Sequence, residues 1–176
     1  LGDDVKHLEI SGLDFRWTTQ PWDLDVAAWD FRTKPFGVRP EANPACIRIW
    51  GRGEGIRIAN CRFEDAVNGI CMRAIGQGSP IREITVEDNV FRNLDAGAAH
   101  FTAGAGWGFS HLAGVLDDVR LYRNRAANIG FRAPRYARGC VFDLTHPFLA
   151  HIGGNVVDRS GAQAINVVAG KGASRG

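Results

Sequence analysis

The chain has 176 residues, and its 21 basic and 19 acidic side chains give a formal net charge of +2. This length fits one domain, and a content of 45% hydrophobic and 23% charged residues is ordinary for a globular protein. The balanced charge does not indicate a nucleic acid or a membrane surface as partner, and no apolar run approaches the roughly 18 residues of a membrane-spanning helix. Neither an initiator Met nor a signal peptide is present, so we expect a mature or excised segment of a longer chain.

A short alternating phrase recurs along the chain, and it is clearest at residues 84–91, ITVEDNVF. Its apolar and polar residues alternate before a turn at 88–89, a pattern typical of a strand with one buried face. Similar phrases begin at Leu8, Ile56, Val119 and Ala150, and the turn positions are Leu13, Cys61, Asn89, Asn124 and Asn155. The last four turn positions are 28, 35 and 31 residues apart. An internal repeat of this period, built of short strands, predicts a solenoid.

In chain order, residues 5–15 form the first repeat, and residues 16–44 interrupt it with four prolines and several aromatic residues. A Pro-rich insertion of this length predicts a large loop on one rim. Alternation then predicts strands at 45–50, 55–59, 69–73, 82–86, 98–102, 119–122, 139–144, 150–152 and 164–168, with a turn at 52–54 and loops at 64–68 and 93–97. A second insertion covers residues 103–118, and a third, basic loop covers residues 131–136.

Three short strands per repeat would form one coil of the solenoid, with successive coils about 4.8 Å apart. The stacked coils would enclose a narrow apolar core. Two columns of inward residues follow from the alternation: Ile10, Ile58, Val86, Leu121 and Ile152, and Phe15, Phe63, Phe91 and Val157. Asn side chains stacked at one turn can bond to each other and to the backbone. This stacking explains Asn89, Asn124 and Asn155 without a functional role.

Three phrases carry a family resemblance: NCRFEDAVNGI at 60–70, DNVFRNLDAGA at 88–98 and GNVVDRSGAQAI at 154–165. They resemble the repeats of the right-handed parallel β-helix, pectate-lyase-like superfamily, and the resemblance covers residues 5–15 and 45–170. It implies an all-β, right-handed, single-stranded parallel β-helix of about five coils, with two or three long rim loops, in a single domain spanning 1–176. That superfamily includes polysaccharide lyases, glycoside hydrolases, epimerases, tailspikes and surface proteins, so the fold alone does not decide the function.

The resemblance implies a polysaccharide or glycan as partner and an extracellular or periplasmic location. It places a site on the outer face of the first strand set, and alternation identifies the outward side chains there. Proton transfer is assigned to His100 and Asp143, and substrate binding to Arg48, Arg73, Trp50, Asn166 and His146. We expect no cofactor and no metal, since no acidic cluster is dense enough for the calcium site of many pectate lyases.

Each assignment has a structural alternative. His100 is an ordinary surface histidine in that case, and Asp143 caps a turn. The other outward column is Glu9, Arg57, Thr85, Arg120 and His151, which is equally polar, as any strand facing water must be.

The type of reaction depends on the number of carboxylates. A glycoside hydrolase needs a second carboxylate, for which Asp95, Asp117 and Asp118 are candidates. A lyase or epimerase needs one base and nearby cations, and the predicted site residues fit this requirement somewhat better. Asp65, Asp95 and Asp158 recur after the third strand, and this recurrence favours turn chemistry.

A non-catalytic β-helix module is the alternative function: a tailspike, a surface or glycan-binding module, or a segment of an assembly. About five coils is short, and no helix is predicted that would cap either end, so end-to-end or homo-oligomeric stacking is expected. The catalytic hypothesis predicts that His100 and Asp143 point outward into one groove bordered by 16–44 and 103–118.

Overall fold

The structure, a computed structural model, describes residues 4–17, 45–74, 80–103, 114–131 and 140–168. Their regular structure is β-strand, and none of their segments is a helix long and apolar enough to cross a membrane. The strands are β1 (Asp4–Lys6), β2 (Glu9–Ser11), β3 (Asp14–Arg16), β4 (Ile47–Ala59), β5 (Arg62–Ala74), β6 (Pro80–Glu87), β7 (Val90–Ala103), β8 (Val115–Tyr122), β9 (Arg125–Ile129), β10 (Phe142–Thr145), β11 (Ala150–Gly153), β12 (Val156–Ser160) and β13 (Ile165–Val168).

These strands pair in parallel, and their register forms three ladders. Ladder one joins 47–51, 70–74, 99–103, 142–145 and 165–168. Ladder two joins 9–11, 57–59, 85–87, 120–122 and 151–153, and ladder three joins 14–16, 62–64, 90–92, 125–127 and 156–158. The sheet curls through 254° like part of a solenoid. The predicted all-β class and the parallel stacking of sequence repeats are therefore confirmed.

The apolar core runs along the inside of the ladders. Ile58, Val86 and Leu121 are fully buried register partners in ladder two. In ladder three the ring of Phe63 stacks between those of Phe15 and Phe91, with centroids 5.0 and 4.9 Å apart and planes within 8°. Both predicted inward columns match the observed register, since like side chains at one register position bury each other from layer to layer.

Buried asparagines form the turn between ladder two and ladder three. The Oδ1 of Asn124 accepts hydrogen bonds from the backbone N–H of Asn89 at 3.1 Å and from its Nδ2 at 3.0 Å. The Oδ1 of Asn155 likewise accepts from the backbone N–H of Asn124 at 2.9 Å and from its Nδ2 at 3.0 Å. The predicted stacking of these amides is therefore confirmed. The residue before each turn position has a left-handed φ between 52° and 68°: Gly12, Asn60, Asp88, Arg123 and Gly154.

Three predicted interruptions do not end a strand, although the backbone bends at or beside each of them. The turn at 52–54 lies within β4, and the loops at 64–68 and 93–97 lie within β5 and β7. Parallel partners on neighbouring layers keep these segments paired, whereas Gly51, Gly55, Asp65 and Asn93 have a left-handed φ between 52° and 105°, and the register shifts between Ala66 and Asn68. Most of the insertions at 16–44 and 103–118, and of the basic loop at 131–136, lies outside the described residues, although Val115–Tyr122 is strand β8.

Candidate functional site

Ladder one brings four predicted site residues and Cys71, from five strand segments, into one row. The register aligns Arg48, Cys71, His100, Asp143 and Asn166, here called the outer row. Two residues further along the strands, a second row contains Trp50, Arg73, Thr102, Thr145 and Val168. Neighbouring strands in a sheet lie about 4.8 Å apart, so each side chain in a row lies beside the next.

His100 is half-buried, and its Nε2 lies 3.2 Å from the backbone oxygen of Cys140. A carbonyl oxygen can only accept, so Nε2 carries the proton and the neutral ring keeps its lone pair on Nδ1. Burial lowers the pKa of His100 below its ordinary value, and the charge of Arg73 adds to this effect, whereas Asp143 and the Cys140 carbonyl oppose it. The ring is consequently neutral at neutral pH, with Nδ1 able to accept a proton.

Gly97 provides the space for the His100 ring. A Cβ built on Gly97 would overlap the Nε2 of His100 and would come 2.8 Å from the Cys140 oxygen. Both atoms of the hydrogen bond that orients the imidazole therefore lie against a backbone without a side chain. A glycine inside a strand often marks such a close approach.

Asp143 is the register partner of His100 on β10, and Asn166 on β13 is the register partner of Asp143. The Nδ2 of Asn166 donates to Oδ1 of Asp143 at 2.6 Å. The carboxylate also lies close enough to the imidazole to raise the pKa of His100 against the effect of burial. Asn166 thus holds a carboxylate that would stabilise the imidazolium formed when His100 takes up a proton.

Two arginines approach the indole ring of Trp50. The guanidinium carbon of Arg48 lies 4.5 Å from the ring centroid, and that of Arg73 lies 5.5 Å from it. Within the described residues, no carboxylate pairs with either guanidinium. The Nε1–H of Trp50 is buried and has no hydrogen-bond partner there. Burial lowers the pKa of Arg73, and the adjacent charge of Arg48 contributes in the same direction.

Cys71 separates Arg48 from His100 in the outer row and is buried. Burial raises the pKa of its thiol to about 12, despite the opposing charges of Arg73 and Arg48. The thiol therefore stays protonated at neutral pH and is not a nucleophile.

The remaining predicted site residues lie apart from the outer row. His146 follows β10 with a φ of 58°, and its backbone N–H donates to the Val168 oxygen. Asp117 and Asp118 belong to β8, where Asp118 pairs with Arg120 at 2.6 Å. Asp95 lies on β7 and is half-buried.

The recurrence of Asp65, Asp95 and Asp158 does not correspond to one column. Asn93 and not Asp95 is the neighbour of Asp65, with a hydrogen bond of 2.9 Å between their side chains, and Asp158 aligns with Ala127. Asp65, Asn93, Asn128 and Arg159 all have a φ between 52° and 57°, so this position serves the turn in each repeat.

The outward column of ladder two differs from ladder one in its ion pairs. Arg57 pairs with Glu9 and with Glu87, and Arg120 pairs with Asp118. In ladder two, carboxylates therefore pair with the outward arginines. In the described part of ladder one, no carboxylate pairs with Arg48 or Arg73. This contrast favours ladder one as the binding face.

Comparison of the chain with protein-family models, curated proteins and solved structures finds no match. The role of the site must therefore be inferred from the chemistry of its own residues.

Sequence reasoning did not assign roles to Gly97 and the Cys140 carbonyl, which orient His100. The glycine within a strand, three residues before the histidine, was an available signal for the first. A backbone carbonyl leaves no such signal.

Proposed function

We propose that this chain is a carbohydrate-active, right-handed parallel β-helix protein of about five coils, of the pectate-lyase-like type. It acts on a polysaccharide that lies across the strands of ladder one, in an extracellular or periplasmic location. The observation that carries the proposal is the arrangement of His100 and Asp143 as register partners on adjacent strands, with the imidazole held neutral. The family resemblance supports the coil geometry and the location.

The proposed chemistry is removal of a proton from a sugar carbon, as in a lyase or an epimerase. In a lyase the C–H electron pair forms a carbon–carbon double bond as the glycosidic C–O bond breaks and the departing oxygen takes a proton from water, and in an epimerase a proton returns to the same carbon from the opposite face. His100 accepts the proton at Nδ1, while its Nε2–H stays on the Cys140 carbonyl. Asp143 stabilises the resulting imidazolium, and Asn166 holds Asp143 in place. Hydrolysis by two carboxylates fits less well, because Asp143 is the one carboxylate in the two described rows of ladder one.

The test is a screen of acidic and neutral polysaccharides, with products detected by ultraviolet absorbance and by new reducing ends. His100→Gln keeps a donor for the Cys140 carbonyl but lacks the basic nitrogen, so processing should fall by roughly 10²- to 10⁴-fold. His151→Gln is the matched control, since His151 is exposed on ladder two. If His100→Gln and His151→Gln process glycans equally well, His100 is not the base.

A second candidate function, assembly through the end of the stack, is favoured by the exposure of Ile165 and Val167. They are register partners of the buried Phe142 and Leu144, yet they are 45% and 50% exposed. Among the described strands, β13 pairs with β10 alone. Beside β13, strand β11 ends ladder two and strand β12 ends ladder three, and the opposite end of these two ladders presents β2 and β3, so a second copy could add head to tail.

Light scattering after size-exclusion chromatography, over a range of protein concentrations, tests this second candidate. Assembly predicts a mass that rises with concentration and that Ile165→Lys together with Val167→Lys abolishes. Val115→Lys, at an exposed apolar position on the inner strand β8, is the control and should leave the mass unchanged. A wild-type mass that stays monomeric at all concentrations rejects the assembly function.

A further inference from the structure

Ladders two and three each begin and end in a strand that is paired on one side. Among the described strands, β2 pairs with β4 alone and β3 with β5 alone, while β11 pairs with β8 alone and β12 with β9 alone. An edge strand presents backbone N–H and C=O groups to which another strand can add. Both ends of these two ladders can therefore accept a further parallel strand.

The inward side chains at these ends are incompletely buried. The inward side chains in the middle of both ladders are buried, whereas those of the end strands are only partly so: Ile10, Phe15, Ile152 and Val157. A second copy added head to tail in the same register would set Ile10 on Ile152 and Phe15 on Val157. Each inward column would then continue without a break, and the apolar surface at the ends would leave water.

The outward charges also match across this junction. The column that begins with Glu9 ends with His151, and the column that begins with Arg16 ends with Asp158. All four side chains are exposed. In the continued register, the Glu9 carboxylate faces an imidazole that can donate to it, and Arg16 faces a carboxylate. Arg16 already forms an ion pair of 3.7 Å with Glu64, its register partner within the chain.

We propose that β11 and β12 of one copy pair in parallel with β2 and β3 of a second copy, with His151 opposite Glu9 and Asp158 opposite Arg16. This inference rests on the proposed assembly function and names its partner, surface and register. Because the two surfaces differ, the contact is heterologous, and each added copy leaves the same two ends free. The product is therefore an open filament in which ladders two and three continue from copy to copy.

Sedimentation velocity over a range of concentrations compares charge-reversed variants. Arg16→Glu sets two carboxylates against each other at the junction, and Asp158→Arg sets two guanidinium groups against each other. Each variant alone should associate at least about tenfold more weakly than the wild type. An equimolar mixture of the two should recover association, because the two reversed ends carry opposite charges and the two unchanged ends still match. Arg92→Glu is the matched control, since Arg92 is exposed in the same column on the inner strand β7, and it should associate like the wild type.

Disulfide formation tests the register itself. Within one chain, positions 9 and 151 lie four strand spacings apart, about 19 Å, which no disulfide spans. Across the proposed junction their Cα atoms lie about 4.8 Å apart, which a disulfide does span. Glu9→Cys combined with His151→Cys should therefore give a ladder of covalent oligomers on a non-reducing gel. Glu9→Cys combined with Thr85→Cys, in the same column on the inner strand β6, should give none.

Circular dichroism of each variant confirms that it is folded. The proposed register is overturned if the wild type assembles but the charge-reversed variants associate as it does. It is equally overturned if their mixture associates no better than either alone, or if the cysteine pair at positions 9 and 151 gives no covalent ladder. In each of these cases the assembly of the wild type leaves the assembly function standing. A wild type that stays monomeric at all concentrations overturns the assembly function and the register with it.

Discussion

Replacing Asn124 by Ala should destabilise the fold strongly, because the side chain of Asn124 serves two layers of the stack. It accepts from the backbone N–H and the Nδ2 of Asn89, and it donates to the oxygens of Val86 and Asn155, at 2.9 to 3.1 Å. Alanine leaves the buried Asn89 N–H and Val86 oxygen without these partners. At about 1 to 3 kcal/mol for each buried group left unpaired, the free energy of unfolding should fall by about 2 to 6 kcal/mol. A typical domain has only about 5 to 15 kcal/mol in total.

Chemical denaturation followed by far-ultraviolet circular dichroism measures this loss as a shift in midpoint. Asn128→Gly is the control, since it removes an exposed hydrogen bond to Asn93 at a residue whose φ of 57° suits glycine. Its effect should stay within about 0.5 kcal/mol. If Asn124→Ala shifts the midpoint no more than Asn128→Gly does, the buried asparagine stack does not stabilise the fold as we argue.

Phe63→Ala should lower the free energy of unfolding by about 3 to 5 kcal/mol in the same assay, because its ring is buried between two others; a loss below about 1 kcal/mol would contradict a stacked core. Gly97→Ala should displace the His100 ring and shift its NMR signals, whereas Gly153→Ala, whose new Cβ would meet its nearest neighbour at 3.5 Å, should not. Because the folded-state pKa of His100 is lowered, the unfolded chain binds more protons below about pH 6.5, and stability is lost as the pH falls through the folded pKa. His100→Gln should make the thermal midpoint less sensitive to pH in that window, and an unchanged pH dependence would argue against a buried neutral imidazole.

The parts of the fold that follow from side-chain alternation could be predicted from the sequence. Period-two alternation identified the inward column of Ile58 and Val86 and the outward position of His100, and the repeat aligned Asn89 with Asn124. Identical chemistry at one register position is informative because stacked layers place like residues in contact. A repeat therefore predicts contacts that are distant in sequence.

Other features depend on neighbours that a linear pattern does not show. Arg123 has a φ of 52° although arginine has no intrinsic preference for this conformation, and its turn is imposed by the layers on either side. The turn predicted at 52–54 lies within β4, because Gly53 pairs with Val5 and Ile81 on parallel strands. In both cases tertiary pairing overrides the local signal.

In the candidate site, too, some features follow from the sequence pattern and others depend on strand packing. Arg57 and Arg73 are both outward arginines in polar columns, so the sequence pattern treats them alike. Glu9 and Glu87 on adjacent layers neutralise Arg57, whereas no carboxylate in the described layers pairs with Arg73. Only the packing of strands distinguishes Arg57, which is held in ion pairs, from Arg73, which has no carboxylate partner among the described residues.

An NMR titration of the His100 imidazole, in the wild type and in Asp143→Asn, measures whether these two side chains act on each other. We expect a neutral ring protonated at Nε2, a pKa below the ordinary histidine value, and a further decrease in Asp143→Asn because the opposing carboxylate charge is removed. A pKa at or above the ordinary value, or one that does not respond to Asp143→Asn, would contradict the pairing of these two residues on ladder one.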